Sequence, residues 1–127
     1  MGEIRDTRAL CEAYGVNYDE TMERFMGKEK SYLKFLGMLF DDGSLDSLKT
    51  ALDKNDFEGA FHFAHTLKGL SSNLGLVRMY EQTVVIVESL RTKDTKADYQ
   101  AMYNVLLQQF EKVKEFYAKM QECVNEQ

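Results

Sequence analysis

The 127-residue sequence contains no proline. Proline breaks a helix from within by removing a backbone donor and clashing with the preceding turn. Nothing in this chain therefore interrupts a helix in that way. A basic surplus is also missing, since 16 Lys and Arg stand against 21 Asp and Glu, a formal net charge of −5. Nucleic acid and anionic membrane both attract basic surfaces, so neither is expected as the main partner. No apolar run approaches the roughly 20 residues of a membrane-spanning helix, and the opening MGEIRDTRALCEAYG lacks the apolar core of a signal peptide. A soluble, cytoplasmic protein is expected. The initial Met-Gly begins a myristoylation signal, but position 6 is Asp6 rather than Ser or Thr, so no lipid anchor is expected. The two cysteines, Cys11 and Cys123, lie near opposite ends without metal-ligand spacing and read as free thiols on helices. Neither G-x-x-x-x-G-K-[ST] nor G-x-G-x-x-G occurs, so no nucleotide-phosphate cradle of its own is expected.

What remains is a chain of 44% hydrophobic and 29% charged residues, within the globular range and one domain in length. Its apolar residues recur at helical spacing throughout, and no segment reads as a strand. A first helix covers about residues 3–14 and stops at Gly15. NYDETMERFMG follows as a short helix capped by Asp19, with Met22, Phe25 and Met26 inward and Gly27 at its end. A third runs from about Lys28 to Phe40. Ser44 caps a fourth, with Leu45, Leu48, Ala51 and Leu52 on its apolar face. Asn55 or Asp56 caps a fifth, residues 76–91 form a sixth, and the last covers about 96–124. The methionines at 22, 26, 38, 79, 102 and 120 read as core gap-fillers. Short connections between such helices make neighbours antiparallel. The expected fold is an all-α, up-and-down antiparallel four-helix bundle over about 28–124, with one or two short N-terminal helices, about 3–27, covering an end.

The stretch FHFAHTLKGLSSNLG, residues 61–75, stands apart. At 100° per residue, Ala60, Phe63, Leu67, Leu70 and Leu74 form one side of the fifth helix, and His65 lies about opposite. Glu58, Phe61, His62, Lys68, Gly69 and Ser72 fall within roughly 60° of His65. The exposed face thus offers an imidazole, an ammonium, an aromatic ring and a missing side chain. A mid-helix glycine costs roughly 1 kcal/mol relative to alanine, so Gly69 needs a reason. Each feature suits a phosphoryl carrier. A neutral imidazole is a good nucleophile near pH 7. Lys68, one turn on, balances charge on phosphoryl oxygens. Gly69 removes the side chain one turn above the ring and leaves room for a partner's active site.

AHTLKGLSSNLG resembles the signature of the histidine-containing phosphotransfer domains of multistep phosphorelays, in which Lys and Gly follow the histidine at the third and fourth positions and an Asn-Leu-Gly run comes soon after. VNYDETMERFMGKEKSYLKFL is similar to the segment preceding the bundle in small stand-alone members, so the resemblance covers about residues 15–124. It implies a four-helix bundle with the phosphorylated histidine exposed on its second helix. Carried over by motif, His65 is the phosphorylated residue, Lys68 the phosphate-side cation and Gly69 the clearance position; His62 has no counterpart in the motif. The implied partners are receiver domains of response regulators and hybrid sensor histidine kinases. The receiver supplies the acidic pocket and Mg²⁺, while this chain, a monomer without a cofactor, serves as a carrier rather than a kinase. Phe61, His62 and Ser72 are the candidate partner-binding residues. Two other readings stay open: a non-catalytic helical interaction module, and a metal-binding bundle using His62 and His65. The second lacks a nearby Cys and has Glu58 as its only acidic helper, so no metal site is expected.

Overall fold

The computed structural model describes residues 6–125, and these contain seven helices and no strand. They are α1 (Thr7–Ala13), α2 (Tyr18–Arg24), α3 (Glu29–Leu39), α4 (Ser44–Asp53), α5 (Phe57–Asn73), α6 (Val77–Arg91) and α7 (Tyr99–Asn125). Residues 3–5 of the first expected helix, like the initial Met-Gly, lie outside the described residues. Short polar side chains start the helices by accepting from otherwise orphaned backbone N–H groups. Asn17 accepts from Glu20, Asp56 from Gly59 at 3.0 Å, and Asp98 from Ala101. Asn17, not Asp19, therefore caps α2. At α4 the cap is Gly43, in the left-handed region at φ 80°, and Ser44 is the first helical residue.

Three residues separate α4 from α5 and three separate α5 from α6, so these consecutive helices are joined by short connections. Contacts run from α4 to α5, α5 to α6, α6 to α7 and back from α7 to α4, with α3 also lying on α7. The result is an all-helical bundle around one apolar core that includes Tyr32, Leu36, Leu48, Leu67, Ile86, Leu106 and Met120. Both cysteines are buried, and neither is in a disulfide. Burial pushes the Cys11 thiol up to about 12, so it stays a protonated, inert core residue at neutral pH.

α5 sits between α4 and α6, and its buried line is not quite the expected one. Ala60, Ala64, Leu67, Ser71 and Leu74 are buried, whereas Phe63 and Leu70 are half-buried. The fully buried line thus includes the small residues Ala60, Ala64 and Ser71. The larger Phe63 and Leu70 pack at the edge. Ser71 is tolerated in the core because its hydroxyl donates to the carbonyl of Leu67 at 2.9 Å. Two of the expected inward methionines are in fact exposed. Met26 is 82% exposed, because α2 ends at Arg24 and the chain then turns through left-handed backbone at Met26 and Gly27. Met38 is 53% exposed, on the outer side of α3.

Leu67 is 1% exposed, on the face of α5 that turns away from His65. Leu67→Ala is expected to lower the unfolding free energy by about 2–5 kcal/mol through the cavity it leaves. Chemical denaturation checks this, and a loss of under about 1 kcal/mol would contradict the assignment of helix faces.

Candidate functional site

His65 is the ninth residue of the 17-residue α5, far from either frayed end, and its side chain is exposed. No hydrogen bond or ion pair among the described residues holds the imidazole. Its one ring neighbour among the described residues is Phe61, a turn earlier. The two rings are nearly parallel, at 5° between planes, with centroids 5.9 Å apart. That is an offset stack, within the separation range aromatic pairs prefer.

On the other side of His65 stands Gly69. It is exposed and has ordinary helical backbone, and an added Cβ would meet no atom within 4 Å beyond its chain neighbours and its own helix backbone. The fold therefore gives no packing reason for a glycine there. Gly37 differs, since a Cβ at that position would press on the Tyr117 hydroxyl, 2.7 Å away. Gly75, which closes the Asn-Leu-Gly run, is different again: its φ is 70° and a Cβ would collide with the Thr21 hydroxyl. Gly75 is needed for the turn and for the approach of α2. Among the described glycines, only Gly69 has neither a left-handed backbone nor a close neighbour to account for it.

Lys68 is half-buried on the α6 side of His65 and takes part in none of the ion pairs of the described residues. Its charge reaches Glu88 on α6. The Glu88 carboxyl is held below the usual carboxylate range chiefly by the hydrogen bond from Arg91, with Lys68 adding a smaller electrostatic pull. The ammonium thus keeps its hydrogen-bonding capacity one turn from the imidazole.

His62 is exposed one turn before His65, its ring edge-on to Phe63 at 5.2 Å. Among the described residues no three His, Cys, Asp or Glu side chains come together as a metal site. Ser72 is exposed two turns beyond His65 on the same face. Here the fold adds something that the spacing in sequence did not signal. Arg24, at the end of α2, donates to the carbonyls of Ser72 at 3.1 Å and Asn73 at 3.4 Å. The buried Tyr32 hydroxyl donates to the carbonyl of Leu74 at 2.7 Å. The last carbonyls of α5 carry its negative dipole end, and a guanidinium and a phenol from 42 to 49 residues away satisfy them. Arg24 thereby joins the His65 face. No periodicity argument within α5 could have found it.

A groove of about 570 Å³ opens at the N-terminal end of the same face, lined by Phe57, Phe61, Leu90 and Tyr99 together with charged residues of both signs, Glu58, Arg91, Lys93 and Asp94. Phe61 is the wall shared between this groove and His65. No described helix is long and apolar enough to cross a membrane.

The expected residues are therefore assembled on one open helix face: an exposed imidazole with no hydrogen-bond or ion-pair partner among the described residues, a cation one turn on, a clear space on one side of the ring and an aromatic ring on the other. No curated protein and no solved structure matches the sequence. A family model described as Hpt domain does match, over residues 34–122, which takes in most of the chain and all of α4, α5 and α6. The chain belongs to the Hpt domain family, phosphohistidine carriers rather than kinases, whose role is phosphotransfer in two-component signalling.

Proposed function

We infer that His65 is the residue that carries the phosphoryl group, receiving it from an aspartyl phosphate of one receiver domain and passing it to the aspartate of another. The observation that carries this reading is an exposed imidazole with no hydrogen-bond or ion-pair partner among the described residues, placed beneath the open space at Gly69. A neutral ring nitrogen attacks phosphorus as the P–O bond to the donor aspartate breaks. The aspartate leaves as a carboxylate with the bonding electrons, and the new N–P bond makes a phosphoimidazolium that can shed its remaining N–H proton. Return to a second aspartate reverses these changes.

Little covalent work falls to this chain, since phosphoryl transfer depends on positioning and on balancing charge over three equatorial oxygens. Lys68 supplies a cation on one side, in reach of those oxygens. The receiver supplies Mg²⁺ and the acidic pocket. Gly69 provides clearance for the receiver's loops, and Phe61, His62 and Ser72 form the contact surface around the ring. The contacts from α4 through α7 and back support a four-helix order, which we read as antiparallel; the same reading makes the carrier a cytoplasmic monomer.

A two-step label transfer tests the relay. Incubation with a phosphorylated receiver and Mg²⁺ moves label onto this chain, and addition of a second, unphosphorylated receiver removes it. A chain that binds receivers but never takes label is an interaction module, which overturns the reading.

A further inference from the structure

We propose that Phe61 is a positioning residue for His65, a fixed floor that holds the imidazole in one orientation with its opposite face open beneath Gly69. The proposal rests on the reading of His65 as the phosphoryl carrier. Helix side chains lean toward the N-terminus, over the turn that precedes them. The His65 ring therefore leans onto position 61, and a side chain at position 69 would lean onto the His65 ring. Position 61 is filled by a ring stacked at 5°, and position 69 is empty. Phe61 flanks the imidazole on one side, and the side toward position 69 is open.

An exposed histidine otherwise samples several rotamers, and only some present the reactive nitrogen to a donor. No hydrogen bond or ion pair among the described residues selects one here, so the stack is the contact that does. The floor is itself held. Phe61 is half-buried and packs against the core. It shares a groove with Phe57 and Tyr99, whose rings pack at 5.6 Å, and the Tyr99 hydroxyl donates to the carbonyls of Ser89 and Asp94 at 3.1 and 2.7 Å. The packing of Phe61 against the core ties the imidazole to the bundle.

The test uses phosphoramidate, a donor too small to depend on a docking surface. Its P–N bond breaks, ammonia leaves and the N–P bond to the imidazole forms. Labelling rates are measured across donor concentrations for wild type, Phe61→Ala, Phe61→Leu and Phe61→Tyr, together with the thermal midpoint and the NMR shifts of the His65 ring protons. Phe61→Ala and Phe61→Leu are expected to lower the maximal labelling rate about three- to tenfold, with little change in the half-saturating donor concentration. Both shift the His65 ring protons, which no longer feel the ring current of Phe61. Phe61→Tyr keeps a ring and recovers most of the rate and the wild-type shifts. Phe61→Leu keeps apolar bulk in the groove wall, so it separates loss of the stack from loss of the fold. Labelling of Phe61→Leu at the wild-type rate overturns the proposal, as do His65 ring-proton shifts that are the same with and without the aromatic ring. A wild type that takes no label from any donor defeats the phosphotransfer reading instead, while the ring-proton shifts still report on the stack.

Discussion

His65→Gln is expected to abolish phosphoryl acceptance from both a receiver domain and a small donor, with no loss of helix content and a thermal midpoint within a few degrees of wild type. Glutamine is a good helix former, and position 65 is exposed in the middle of α5 without a hydrogen bond or ion pair among the described residues for the substitution to break. The substitution removes the stack on Phe61, which lies on the surface of the helix. The amide nitrogen of glutamine has no available lone pair of the imidazole kind, so the N–P bond has nowhere to form. The measurement pairs circular dichroism with labelling by phosphorylated receiver and by phosphoramidate. Residual labelling near the wild-type rate moves the phosphoryl site elsewhere. Unfolding of the variant would mean that the position is structural.

The second large effect is expected at Gly69 and depends on the donor. Gly69→Ala should leave stability unchanged or raise it by up to about 1 kcal/mol, because alanine is the better helix former and no atom beyond its chain neighbours and its own helix backbone lies within 4 Å of the new Cβ. Gly69→Gln extends a side chain back over the imidazole, into the space a receiver's loops need. Transfer from a phosphorylated receiver should then slow by about 10- to 100-fold, since misplacement by an ångström at a reacting centre costs that much. Phosphoramidate needs no such clearance and should slow by less than about threefold. Equal slowing with both donors would place the effect in the chemistry of the ring rather than in access. A large fall in stability would show that the helix backbone, not the partner, requires the glycine.

The residues of the site that lie on one helix were legible from spacing alone. His65, Lys68, Gly69, Phe61, His62 and Ser72 share a face because 100° per residue fixes it, and no tertiary contact was needed to place them. The stack of Phe61 on His65 also follows from i, i+4 spacing, although its near-parallel geometry does not. Arg24 was not legible, because its bonds to the carbonyls of Ser72 and Asn73 cross 48 and 49 residues of sequence. The burial of α5 differs slightly in phase from the one its hydrophobicity predicts. Large apolar side chains at 63 and 70 outweigh Ala64 and Ser71 in a hydrophobicity argument, but helices approach most closely where side chains are small. Met26 departs from expectation for another reason. Once α2 ends at Arg24, helical phase no longer applies, and the left-handed backbone at Met26 turns its side chain to solvent.

The most direct measurement of the central claim is the chemistry and position of the phosphate that the wild-type chain takes from a phosphorylated receiver. A phosphoimidazole is hydrolysed in acid and survives alkali, whereas a serine or threonine ester survives acid, so lability separates the linkages before peptide mapping locates the group. The account predicts one acid-labile, alkali-stable phosphate within FHFAHTLKGLSSNLG, carried by His65. An acid-stable phosphate on Thr66, Ser71 or Ser72, or an acid-labile one on His62, would contradict it.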